Sequence, residues 1–214
     1  MKILLFVLAI TLCSGTAFAE GPQLFKDFSF GQPRADLLQK AGMVPCDEVE
    51  KEALCREGQK FAGFSDWEQL FLFRGGKLSL VALTGPTDDD RYVKTIGTIT
   101  NNGFIPAVLQ SGDKYFDFIK EVKEKGKAAA ADLATFEAAA LNGASGLTYT
   151  FIEKADAKGA AKTGSFISFI GAAPQTLRAV EVEIAGDDMY VRFLAPKAAL
   201  ADQKKQIEEQ KESF

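Results

Sequence analysis

Two stretches of this chain have residue types and spacing that could carry out a covalent reaction: Ser111-Gly112-Asp113-Lys114 and Lys162-Thr163-Gly164. In an S-x-x-K pair at the head of a helix, the lysine can take the serine's proton, so the serine attacks an acyl group without help from an imidazole. A K-T-G run opening a strand belongs to the same chemistry. The apolar spacing predicts a helix over 113–125 and a strand over 165–170, which puts both fragments in suitable places. The S-D-N element that completes the constellation is missing between them. A serine ahead of a helix is also an ordinary cap and Lys-Thr-Gly an ordinary turn, and the sequence favours those roles for Ser111 and Lys162.

What the chain lacks narrows the rest. It contains no histidine, which removes imidazole acid–base catalysis, Ser-His-Asp and Cys-His nucleophiles, and histidine-ligated zinc, copper or haem. Carboxylate-pair catalysis, Ser-Lys catalysis and oxygen-ligated metals remain open. Asp88-Asp89-Asp90 offers oxygens to calcium, but the alternating ligands, mid-loop glycine and distal glutamate of a calcium loop are missing. Three aspartates ahead of Tyr92 to Ile99 suit the start of a helix, as cap and as negative charge against the helix dipole. No catalytic residue, metal or cofactor is expected.

Aromatic rings offer binding instead of reaction. The chain has 18 phenylalanines, and Phe61, Phe64, Phe71, Phe73, Phe151, Phe166, Phe169 and Phe193 are all expected on strands. Such a face is either core or the lining of an apolar pocket. Trp67, Tyr149 and Tyr190 are the candidate partner-binding residues, because aromatic side chains with a polar atom dominate interface energetics when exposed.

The compartment follows from the first residues. Met1-Lys2, the apolar run Ile3 to Cys13 and the small residues ending in Ala17-Phe18-Ala19 have the order of a cleaved secretory signal over residues 1–19. Cys13 leaves a lipoprotein alternative, against which Leu12 stands where a small residue is required. The run is shorter than the roughly 20 residues of a spanning helix and no other segment is as apolar, so no membrane span is expected. The protein is therefore expected to be periplasmic or secreted. Cys46 and Cys55 agree with that and are expected to form a disulfide, since their spacing is far wider than a redox C-x-x-C. Loss of Lys2 makes the mature chain one unit more negative than the −4 of the full sequence. With no basic stripe, neither nucleic acid nor an anionic membrane surface is an expected partner.

The elements that must position these residues read as α+β. A strand is expected over 24–30, a helix over 32–41, strands over 60–64, 67–73 and 77–84, a helix over 88–101 and an edge strand over 103–110 with Pro106 in it. Helices over 113–125 and 127–141 follow, then strands over 147–153, 165–170, 176–184 and 189–195. Val180, Val182 and Ile184 alternate with Glu181 and Glu183, as a sheet with one wet face requires. The expectation is a single domain over 20–195, an antiparallel sheet with helices on one face, divisible at 110/111 into two related α/β-meander units. Residues 196–214 form a charged C-terminal helix or tail.

Residues Phe30-Gly31-Gln32-Pro33-Arg34-Ala35-Asp36-Leu37-Leu38, with Phe71-Leu72-Phe73-Arg74-Gly75-Gly76-Lys77-Leu78-Ser79-Leu80-Val81, carry a resemblance. Over about residues 24–84 the chain resembles the helix-plus-hairpin unit of small secreted bacterial proteins such as the β-lactamase inhibitor protein and the small lipoprotein of the outer-membrane barrel assembly machinery. The resemblance implies a sheet face that binds other proteins and assigns no individual residue. The expected function is thus an exported, non-catalytic binding or interaction domain of the cell envelope, whose partner is another envelope protein or a small apolar ligand. The alternative is a histidine-independent hydrolase, carboxylate or Ser-Lys, acting on envelope material.

Overall fold

The computed structural model describes residues 21–48, 50–141 and 146–212. The expected signal segment lies outside the described residues, as does Asn142-Gly143, the pair that follows the helix expected over 127–141. In chain order the elements are β1 (Gln23–Phe25), β2 (Phe28–Ser29), α1 (Arg34–Leu38), β3 (Val44–Pro45), β4 (Leu54–Phe61), β5 (Phe64–Arg74), β6 (Lys77–Pro86) and α2 (Asp89–Asn101). The second half continues with β7 (Phe104–Ser111), β8 (Lys114–Asp117), α3 (Phe118–Lys125), α4 (Ala129–Leu141), β9 (Leu147–Glu153), α5 (Ala157–Thr163), α6 (Phe166–Ala172), β10 (Ala179–Ala185), β11 (Asp188–Leu194) and α7 (Pro196–Glu212).

The α+β class is as expected. Nine antiparallel strands form one sheet in the order β3-β4-β5-β6-β11-β10-β9-β7-β8, and β1-β2 is a separate hairpin. The meanders β4-β5-β6 and β9-β10-β11 are mirrored about the β6–β11 pair. A division at 110/111 falls inside the hairpin that joins β7 to β8. Both outermost strands are short, which limits the unpaired edge open to other chains.

One face of the sheet is dry. The registered row Gln69–Leu83–Val191–Val182–Tyr149–Leu109 is buried throughout. Leu37 of α1, Ile99 of α2 and Ala140 of α4 close over this face, with Phe28, Trp67, Phe71 and Phe151 in the same core. Each fully buried ring or aliphatic chain of this kind contributes about 1.5–3 kcal/mol over leaving it in water. A further pair of helices, α5 and α6, covers the β7-β9-β10 end of the other face through Ala107, Ile152, Ala160, Phe169 and Ala179. At the opposite end of that face, Cys46 and Cys55 pack with Leu70 and Leu72.

Several elements depart from the expected assignment. Residues 165–170, expected as a strand, belong to α6: Ser165 accepts from the Ser168 amide at the helix start, Phe166, Phe169 and Ile170 meet the second core, and Ile167 is 74% exposed. Phe166 and Phe169 are thus helical. A short apolar run reads alike for strand and helix, and the cap decides. Residues 114–117, expected in a helix, are strand β8; the helix starts only after Asp117, whose Oδ1 accepts from the Ile119 and Lys120 amides. Strand β7 is not an outermost strand. Its Pro106 precedes the Val108–Ser111 stretch that pairs with β8, so the missing amide hydrogen costs no ladder bond there.

Candidate functional site

The wet face of the sheet is built by cross-strand register. Across it runs one row, Glu68–Thr84–Tyr190–Glu183–Thr148–Gln110, and beside it a second, Leu70–Ala82–Arg192–Glu181–Thr150–Val108. Residues directly opposite in antiparallel strands share a face, so these rows lie on the side away from the main core. Glu68 and Gln110 are exposed, and Thr84, Tyr190, Glu183, Arg192, Glu181, Thr148 and Thr150 are half-buried.

Arg192 is the centre of this surface. Its Nη2 pairs with Glu183, its Nη1 lies 4.0 Å from Glu181 Oε2, and its guanidinium carbon is 5.6 Å from the centre of the Tyr190 ring. A two-residue turn, Gly186-Asp187, between the partners Ala185 and Asp188 fixes this register. Desolvation raises the Glu181 carboxyl above its ordinary range; Arg192 opposes the rise and Glu183 adds to it. Both acids of β10 are occupied by one cation, and Glu68 adds a third carboxylate to the row. The arrangement presents hydrogen-bonding groups and a ring over a broad surface, with an excess of negative charge.

Of the three candidate binding aromatics, only Tyr190 lies on this face. Trp67 is fully buried, and its Nε1 donates to the Phe61 carbonyl at 3.0 Å. Tyr149 is also buried: its hydroxyl and that of Tyr92 both donate to Glu137 Oε1, and the two hydroxyls are 3.2 Å apart. Sequence pattern could not separate these rings, because each sits in an alternating strand and burial depends on which face a helix covers.

The Ser-Lys fragments do not meet. Ser111 and Lys114 are cross-strand partners at the tip of the β7–β8 hairpin, and the Ser111 hydroxyl donates to the Gly146 carbonyl at 2.9 Å. Lys162 lies in the last turn of α5, which Gly164 ends in a left-handed conformation, over one end of the wet face. The expected strand after Lys162-Thr163-Gly164 is helix α6. Ser111 and Lys114 do line a 610 Å³ cleft with Glu121, Lys125 and Asp132. There Lys125 binds both acids, at 2.7 and 2.8 Å, and its own pKa is raised chiefly by Asp132 and then by Glu121.

Asp88 accepts from the Arg91 amide at 2.8 Å and caps α2, while Asp90 pairs with Lys94. Cys46 and Cys55 are bonded, with Cα atoms 5.8 Å apart. A bonded pair suits an oxidising environment. Among the described residues, no helix is long and apolar enough to cross a membrane. Comparison with protein-family models, curated proteins and solved structures finds no match to this chain.

Proposed function

We propose that this is an exported, non-catalytic interaction domain of the bacterial cell envelope that holds a basic segment of another protein on the wet face of its sheet. The observation that carries this is the cluster of Glu181, Glu183, Tyr190 and Arg192, half-buried on the face that α5 and α6 cover at one end only. The carboxylates of exposed Glu68 and of half-buried Glu181 and Glu183 outnumber the single cation, so a partner of positive charge is attracted and a negative one repelled. Tyr190 supplies the ring that such surfaces use as an energetic centre. The amino-terminal signal pattern and the disulfide support a periplasmic or secreted location. The likeness of residues 24–84 to small secreted proteins with a binding sheet face supports the same reading.

A photo-crosslinking residue at Thr148, in protein expressed in its own cells, tests it. A discrete envelope adduct is expected, lost when Tyr190→Ala or Glu183→Lys is added while the melting temperature stays within a few degrees. Absence of any adduct, or turnover of an envelope substrate abolished by replacing one carboxylate, overturns the reading.

A further inference from the structure

A second cavity, of 300 Å³, lies beneath hairpin β1–β2, between α2 and the sheet. Phe25, Phe61, Phe104, Phe193, Ile99 and Val180 form its apolar wall. Three of the rings brace one another: Phe25 lies 4.4 Å from Phe193 and 5.9 Å from Phe61, and Phe61 lies 6.0 Å from Phe193. They come from β1, β4 and β11, so the wall is fixed by long-range packing. At about 30 Å³ per water-sized group, the space takes roughly ten heavy atoms.

Its charged lining residues are of one sign. Lys26 and Arg178 stand in the lining with Gln23, Thr98 and Asn102, and among the described residues no carboxylate lines the cavity. Arg178 also pairs with Glu153 outside it. Lys26 has no carboxylate within ion-pair distance among the described residues; its ammonium donates to the Lys60 carbonyl at 3.2 Å and lies 5.0 Å from the Phe25 ring centre. Arg178 Nη1 donates to the Gln23 carbonyl at 3.3 Å. Both contacts to neutral carbonyls are long beside the 2.7–2.9 Å of a charge-assisted bond to a carboxylate. Lys26 is also held at φ 50°, a left-handed conformation that costs a lysine energy, to place it at the hairpin tip.

An apolar chamber with cations at its mouth selects a ligand that is apolar at one end and anionic at the other. We infer that this cavity binds a medium-chain carboxylate, the hydrocarbon among Phe25, Phe104 and Phe193 and the carboxylate between Lys26 and Arg178.

Octanoate, with octanol and octylammonium as controls, is titrated into the mature protein and followed by calorimetry and by side-chain methyl shifts of Ile99 and Val180. Octanoate is expected to bind, to shift those methyls and to bind at least tenfold tighter than either control. Lys26→Glu, at an exposed position, is expected to weaken octanoate at least tenfold and leave the melting temperature and any Thr148 adduct unchanged. Equal binding of all three compounds, shifts confined to other residues, or unchanged affinity in Lys26→Glu overturns the proposal, as does no binding to the wild type.

Discussion

The guanidinium carbon of Arg91 stands 4.8 Å from the centre of the Trp67 ring, and the space it fills exists because residue 85 is glycine. A Cβ on Gly85 would lie 2.7 Å from Arg91 Nη1 and 3.3 Å from Trp67 Cε3. Arg91 cannot yield easily: it is buried, its Nη2 is tied to both oxygens of Asp66, and Phe64 lies on it as well. Gly85→Ala is therefore expected to cost about 1–3 kcal/mol by overpacking. Gly97→Ala, in the middle of α2 with open space around it, is expected to stabilise by about 0.5–1 kcal/mol. Chemical denaturation of the two variants gives opposite signs if the geometry at Gly85 is right.

The bond between Cys46 and Cys55 closes a loop with a sequence separation of 9. In the chain-entropy model a loop of that size removes about 2.5–3 kcal/mol from the unfolded state. Cys46→Ala is expected to lower stability by that amount, and the unfolded, unreduced wild type should show no titratable thiol. Two free sulfhydryls, with an unchanged midpoint for the variant, would exclude the bond.

The parts of this fold written in the sequence are those where one local rule decides. Asp88 capping α2 and the alternation of β10 are set by residues within a few positions and stand where expected, and the Gly186-Asp187 turn is equally local. The polar centre is legible too: with that turn, register alone puts Glu183 opposite Tyr190 and Glu181 opposite Arg192. Other features depend on distant partners. Tyr149 is buried because Glu137 of α4 and Tyr92 of α2 reach it, at separations of 12 and 57 residues. The run after Ser165 is helical because that cap is joined by a second core for Phe166 and Phe169 to enter, and the core lies in no window of the sequence.

The Tyr92–Tyr149–Glu137 cluster makes an alkaline prediction. Burial, first, and the carboxylate of Glu137, next, push both phenols well above their ordinary 10.0. The unfolded chain releases these protons near pH 10 while the folded chain keeps them, so the contribution is intact below pH 10 and is lost as pH rises beyond it. Melting temperature should fall steeply from pH 10 to 11.5. Tyr92→Phe with Tyr149→Phe should flatten that fall, and the share of tyrosinate absorbance that this double variant removes should appear late in the wild type, together with unfolding.

Glu181 has the same sign of dependence in the acid range, where Arg192 modulates it. A carboxyl whose pKa is higher folded than unfolded holds its proton more tightly in the folded protein. Its charged form is thus a cost at neutral pH, and the cost disappears as pH falls through the folded value towards the ordinary 4.5. Glu181→Gln is expected to raise the melting temperature at pH 7 and to lose that advantage below about pH 4.5. Arg192 opposes the same cost and pairs with Glu183, both half-exposed, so Arg192→Met is expected to destabilise by about 0.5–1 kcal/mol at pH 7. At low pH that penalty should shrink, because protonated glutamates no longer need the cation. In the double variant the two changes should not add, since removing Glu181 takes away part of what Arg192 offsets. Strict additivity at pH 7, measured by denaturation of the four proteins, would mean that Arg192 and Glu181 do not interact across β10 and β11.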